Sequence, residues 1–576
     1  MISASKPLFL FQKKPFIIIL AIMLLVCAAY GLSLNNGFVW DDETLIVNNT
    51  YVHTISKWPQ YFTLAGTVSN DPVMSRVYRP LQTLSFALDA ALWGNWAGGF
   101  HLTSLLLHLA TCFALFYAFN PLVGHRSSIV AAILFSIHPA LSESVLSLAS
   151  RGNQLYTLLA LLSLGFFVRT AKPFDKYHLL SLFAALTALF SKEPAIAYLA
   201  LLPLFQLVFR QPWNLRDRRS AALFVPFVVI AGLYLSARAM VVASAQVVPY
   251  WGGSLGATLV MQAKVFILYL RLLFWPFYLQ GRYTIAGPDA LATAALIANI
   301  ALVIVAILAW RRSNSGKFLA LAIAWFYLSL APVSNIIPLP GAMMGERFLY
   351  FTFAGMFPLL IGSFEEQAGG RSSRFVMLIA IVLLAAFLVT DINRTAVWKN
   401  NAHYFKVLSV QEPDNPVVQV RMAMTGMEAG DTAPALARLE RLVKKGFSTP
   451  FAADRATVAY WYGKALLLSD RPTEAYVQLS QAAALSTTRS GELILLLVEA
   501  AARSNDLRPA RSLLEQEIKA SPGDDMLWNA LGNVLSMAGD YSGSVRAYSK
   551  AVELNPSNNE AAVNLQNVRR SSGVRK

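Results

Sequence analysis

The chain has 576 residues, 56% of them hydrophobic and only 14% charged, and a formal net charge of +16. Soluble domains average nearer 45–50% apolar and about 25% charged, so one soluble globular fold is excluded for the chain as a whole. The basic excess does not call for nucleic acid, because Lys and Arg sit mainly in short loops between apolar runs, where membrane topology requires them.

The first apolar run covers 16–34, after Lys13-Lys14, and exits at Trp40. It is too long for a signal-peptide core and no small-residue cleavage site follows, so it reads as a membrane span. A loop over 35–99 opens with Asp41-Asp42-Glu43 and carries Asp71, Arg76, Tyr78, Arg79 and Asp89. Carboxylates at a membrane surface are costly unless they bind or react with something. The plainer alternative is an N-cap with first-turn acids of a surface helix. Further spans are predicted at 100–119, 129–147, 153–169, 178–191, 194–209, 220–239, 289–310, 317–337, 346–363 and 373–391, about eleven in all. Cys27 and Cys112 fall in these runs and read as small buried hydrophobes, with no disulfide or zinc framework.

An odd number of spans puts the chain ends on opposite sides. Lys13/Lys14, Arg126, Lys172/Lys176, Arg216/Arg218/Arg219, Arg311/Arg312/Lys317 and Arg371/Arg374 then share the N-terminal side, which the positive-inside rule makes cytoplasmic. Segment 256–280 is apolar enough to span, but Lys264 and Arg271 lie seven residues apart on one helical face. It is therefore expected to be an amphipathic or re-entrant helix on the outer side.

After Trp398 the composition turns to Ala, Leu, Glu and Arg. Trp528, Leu531, Gly532, Leu535, Tyr548, Ala551 and Pro556 keep the spacing of a tetratricopeptide (TPR) repeat, with Ser544 in place of the usual Ala. Ala510, Leu514 and Pro522 fill the matching positions one period earlier. Tyr462, Gly463, Leu466, Ala475, Leu479 and Ala482 fit another repeat, and Met422, Ala423, Gly430, Asp431 and Ala435 a degenerate one. The expected organisation is a membrane domain over 1–395 and a TPR domain over 396–576 outside the cytoplasm, a surface for protein partners. The fold class is all-α: a polytopic helical bundle followed by a soluble α-solenoid.

More ionisable residues gather at the outer turns: His138, Glu143, Arg151 and Asn153, then Lys192-Glu193-Pro194, Arg238, and Glu346-Arg347 with Tyr350. Each alone reads equally well as a snorkelling side chain, a local salt pair or a helix-start pair. Together they place acids and cations from six segments on one side, while the other side shows almost only cations. That pattern describes an outward cavity with acid/base groups and an anion site. It suits transfer from a phosphate-linked donor: Arg and Lys neutralise the leaving phosphate, and a carboxylate takes the proton of an acceptor hydroxyl or holds a metal that does so.

Gly37-Phe38-Val39-Trp40-Asp41-Asp42, Tyr78-Arg79-Pro80-Leu81, Phe100-His101-Leu102, Leu107-His108, His138-Pro139 followed by Glu143, Lys192-Glu193, Pro332-Val333-Ser334-Asn335 and Glu346-Arg347 with Leu349-Tyr350 occur in that order. With the TPR tail, this set resembles the transmembrane-and-TPR protein O-mannosyltransferases, which are similar to the wider GT-C glycosyltransferase class. The resemblance covers nearly the whole chain. It implies a polyprenyl-phosphate sugar donor, inverting transfer, and an acid of the first outer loop at the catalytic centre. Asp41 and Asp42 match that acid position, as base or as ligand of a divalent cation (Mg or Mn) if one is used. Lys192 and Arg347 match motif cations, and with Arg79 and Arg151 they are the candidates for the donor phosphate. Glu143, Glu193 and Glu346 are supporting acids.

About four repeats and compact loops depart from many relatives and put mannose and dolichol in question. They point to a bacterial inner-membrane enzyme using an undecaprenyl-phosphate sugar, or an ER-membrane one if the source is eukaryotic. The expected acceptor is a Ser or Thr hydroxyl of an exported protein held by the TPR domain. The rivals are transfer to an envelope glycan or lipid, and a non-catalytic TPR scaffold, which would have no use for Asp41-Asp42 facing cations.

Overall fold

A computed structural model describes residues 15–69, 77–209, 218–242, 248–285, 287–339, 341–368, 374–447, 452–486, 490–504 and 506–572. Asp71, Arg76, Lys13/Lys14, Arg216 and Arg371 fall outside these residues. The described residues form helices and no strands. Apolar solvent explains this for the first part of the chain, since a helix satisfies its own backbone polar groups. By contacts the chain divides into two units, Met1–Leu408 and Ser409–Lys576.

In the first unit, eight described helices are long and apolar enough to cross a membrane, or nine if the pair His125–Ser136 and Pro139–Leu146 counts as one span. That pair is bent by 63°, at the point where Pro139 has no N–H to continue the ladder. Spans expected at 178–191 and 194–209 are the shorter helices Lys176–Ser191 and Glu193–Phe209, split at Lys192-Glu193-Pro194. The expected span 153–169 lies in Arg151–Arg169, which buries Arg151, Asn153, Gln154 and Thr157 and so has low hydropathy.

Leu255–Phe274 belongs to the eight. Yet both its ends meet the same loop, 331–345, which joins helix Asn314–Leu330 to Glu346. Just before the helix, Trp251 donates to the Leu339 carbonyl at 3.2 Å. Near its far end, Tyr269 donates to the Gly345 carbonyl at 3.2 Å, and just beyond it Gln280 N–H reaches Glu346 at 2.8 Å. The segment just before this helix and its last turns therefore both pack against the 331–345 loop.

The second unit stacks antiparallel helix pairs: Pro416–Glu428 with Thr432–Lys445, Ala452–Leu468 with Pro472–Leu485, Gly491–Arg503 with Leu507–Ala520, and Asp525–Met537 with Tyr541–Leu554, closed by Asn559–Ser572. The small repeat residues let paired helices touch. A Cβ on Gly532 would sit 2.4 Å from the Tyr548 ring. Ser544 fits where Ala is usual because its hydroxyl donates to the Gly532 carbonyl at 2.8 Å. Two apolar cores run through the stack, one around Leu439, Leu466 and Leu479 and one around Leu514, Leu527 and Val534.

Candidate active site

One end of the membrane unit collects the acids and cations. Asp42 is 1% exposed. Its Oδ2 accepts from Val39 N–H at 2.9 Å and its Oδ1 from Ala149 N–H at 2.7 Å. Asp42 therefore ties the first outer loop to the turn that starts helix Arg151–Arg169. Burial raises its pKa to about 7, against the two N–H bonds and Arg151, which favour the charged form. Asp41, next to it, is exposed. Its charge acts on Asp42 and attracts Arg347. The adjacent acids thus have different surroundings, Asp42 buried and held by two backbone N–H groups and Asp41 exposed.

Three cations converge from separate segments. Arg347 follows a helix-start turn, and Glu143 grips it twice: Oε2 accepts its backbone N–H at 2.7 Å and Oε1 its Nη1 at 2.7 Å. The Glu143 side chain is 5% exposed and that of Arg347 31%, so the acid is buried and the arginine side chain partly exposed. Arg79 is held by Glu193, Nε to Oε2 at 3.0 Å. Lys192 is buried at the helix break, with Nζ 2.7 Å from Asn153 Oδ1. Burial pushes its pKa well below the usual lysine value, and the charges of Arg79 and Arg347 push it the same way. A cation disfavoured by burial and by two like charges is stabilised by an incoming anion. Gly152 makes room for this arrangement: a Cβ there would lie 2.6 Å from Gln82 Oε1 and 3.3 Å from Lys192 Cδ.

The local pairs that Lys192-Glu193 and Glu346-Arg347 could have made are not among the ion pairs of the described residues. Each acid takes a cation from elsewhere: Glu193 takes Arg79, Glu143 takes Arg347, and Glu346 takes Arg394 at 2.8 Å. Glu346 is fully buried and also accepts from Tyr283 Oη at 2.6 Å and Gln280 N–H at 2.8 Å. It anchors the turn that presents Arg347.

Arg151 differs from the other candidate cations. It is fully buried, bonded to Asp89 and, at 2.6 Å, to the Phe100 carbonyl. It lies inside the scaffold, where its charge is met by Asp89. Each Asp42 oxygen already accepts one backbone N–H, and no group of three or more His, Cys, Asp or Glu able to hold a metal occurs among the described residues.

Sequence reasoning missed Arg394, Tyr283, Gln82 and Asn401. Arg394 left a trace, as an ionisable residue three positions after Asp391 at a span end. The others gave none, because their partners lie 63 to 361 residues away.

Comparison with known proteins bears on this geometry. A tetratricopeptide-repeat family model matches residues 526–558. Mouse protein O-mannosyl-transferase TMTC1 is 34% identical over 188 residues, 30% of this chain and 20% of that protein. Human protein O-mannosyl-transferase TMTC4 is 23% identical over 478 residues, 72% of this chain and 64% of that protein. The chain resembles the TMTC protein O-mannosyl-transferases. It spans less than two thirds of the length of these relatives. Among solved structures, the apo oligosaccharyltransferase of Archaeoglobus fulgidus overlaps 70% of this chain and 59% of its own at 13% identity, with a TM-score of 0.38.

Proposed function

We propose that the chain is an integral membrane glycosyltransferase of the GT-C type. It would move one sugar from a polyprenyl-phosphate donor, with inversion, to a Ser or Thr hydroxyl of an exported protein. The observation that carries this reading is the outward-facing Asp41 beside a cluster of Arg79, Lys192 and Arg347, each cation fixed by its own partner.

Asp41 takes the acceptor proton as the hydroxyl oxygen attacks the anomeric carbon. The bond from that carbon to the donor phosphate breaks, and the electron pair leaves with the lipid phosphate. Arg347, Lys192 and Arg79 neutralise the phosphate as its charge grows. Asp42 sets the loop, Glu143 and Glu193 aim the two arginines, and Glu346 fixes the turn before Arg347. Arg151 is assigned to the scaffold, paired with Asp89. No metal is given a step.

We assign the site end to the outside of the cytoplasm; Arg126, Arg169, Lys172, Lys176, Arg311 and Arg312 at the opposite ends of their helices support this by the positive-inside rule. This reading assigns Leu255–Phe274, packed on the 331–345 loop, to the outer side without a crossing. The TPR unit, reached from the end of the last span, is given the acceptor protein.

Binding of a polyprenyl-phosphate analogue tests the cation assignment. Lys192→Ala and Arg347→Ala should each weaken binding by about tenfold or more, the order of a charge-assisted contact of 1.5–3 kcal/mol. Unchanged affinity in both would remove the donor site from these residues.

A further inference from the structure

We infer that Asn401, in the segment after the last span, is a positioning residue for Asp41. This rests on the catalytic reading of Asp41 given above. The Asp41 loop is held by chain more than 350 residues away. Asn36 Nδ2 donates to the Thr395 carbonyl at 3.1 Å, and Gly37 N–H to the Lys399 carbonyl at 2.9 Å. Trp40 N–H donates to Asn401 Oδ1 at 2.7 Å, and Asn401 Nδ2 donates to Glu43 Oε1. One side-chain amide therefore brackets Asp41-Asp42, accepting from the residue before the pair and donating to the residue after it.

The residue before the pair is strained. Trp40 has φ of +57°, in the left-handed region where a side chain costs energy. Such a conformation persists only where its surroundings fix it. Here they are the Asn401 acceptor and the rings of Tyr404 and Phe405, whose centroids lie 5.8 and 5.4 Å from that of Trp40. A side-chain amide supplies a donor and an acceptor on one small planar group. The neighbouring Asn400 is used differently: its Oδ1 accepts from His403 N–H at 2.9 Å and caps the helix Asn401–Gln411. Asn401 thus belongs functionally to the first outer loop, although it lies in the stretch that leads to the second unit.

The test swaps the hydrogen-bonding roles. Asn401→Asp sets a carboxylate against Glu43, so kcat should fall roughly a hundredfold, the cost of misplacing a reacting group by about 1 Å. KM for the donor and the melting temperature should hold. Adding Glu43→Gln supplies a donor again and should restore most of the lost kcat. Full kcat in Asn401→Asp, a double variant no better than the single one, or a parallel fall of kcat and melting temperature would each overturn the assignment. Hydrogen exchange at the Trp40 amide in Asn401→Ala reads the clamp without turnover, and it should accelerate. If Asp41→Asn keeps full activity, the catalytic reading fails while exchange still reports on the clamp. Unchanged exchange refutes the clamp itself.

Discussion

The two units use charge in opposite ways. In the TPR unit the ion pairs are largely exposed, and several are local: Arg471 with Glu474, Arg503 with Glu499, Arg511 with Glu515. Pairs of that kind contribute about 0–1 kcal/mol each. In the membrane unit Arg151–Asp89, Arg394–Glu346 and Arg347–Glu143 join residues 62, 48 and 204 apart, with carboxylates at most 5% exposed. There a charge left without its partner stands in a poorly solvated place. In one unit charge keeps the surface soluble. In the other it joins distant segments, some of them at the candidate site.

The largest effect expected from breaking this contrast is at Arg151. Arg151→Ala leaves Asp89 buried beside no cation and should cost about 3–5 kcal/mol, read as loss of folded protein in detergent. The paired change Arg151→Met with Asp89→Leu should recover much of it. Arg503→Ala in the TPR unit should cost less than about 1 kcal/mol. Equal costs at the two sites would erase the distinction.

The contrast sharpens with pH. Asp42 has a folded pKa raised to about 7 by burial, above the roughly 3.9 of an unfolded Asp. Between those values the folded form binds the proton more readily, so this group's contribution to stability falls as pH rises, by up to about 1.4 kcal/mol per unit. Activity should move the other way. Below about pH 7 a proton on Asp42 turns an acceptor into a donor facing Val39 or Ala149 N–H, the loop loosens, and the rate falls. In the TPR unit, hydrogen bonds hold Glu474, Asp506 and Asp540 below their usual values, so stability there is lost as pH falls through the acid range. A rate profile without an inflection near 7, or one that Asp42→Asn leaves unchanged, would contradict this role.

The smallest effect expected is at Ser544. Ser544→Ala removes one hydrogen bond to the Gly532 carbonyl and restores the usual repeat residue. The change in TPR stability should stay within about 1 kcal/mol, read by melting of the full chain. A larger loss would mean that the hydroxyl holds the last repeat together.

What was legible in the sequence follows the same division. The TPR pattern is local: Trp528, Gly532, Tyr548 and Pro556 meet neighbours within one period, so spacing alone reveals them. Span positions were legible where hydropathy is continuous, as at 16–34, and less so where polar residues point into the bundle, as in Arg151–Arg169. Glu143, Glu193, Glu346, Arg79, Lys192 and Arg347 were recognisable as a group, since ionisable residues at one membrane face are rare enough to notice. Their pairing was not, because each partner comes from a different segment. The different surroundings of Asp41 and Asp42 were also hidden. The sequence shows two equal acids, and only the Val39 and Ala149 N–H groups distinguish them.

Transfer by purified Asp41→Asn, with donor-analogue binding measured on the same preparation, tests the central claim most directly. Asparagine keeps the size and removes the base. The expected result is a rate lower by about 10²–10⁴, with donor affinity and melting temperature unchanged. Near-normal turnover in Asp41→Asn would contradict the assignment of Asp41 as the base.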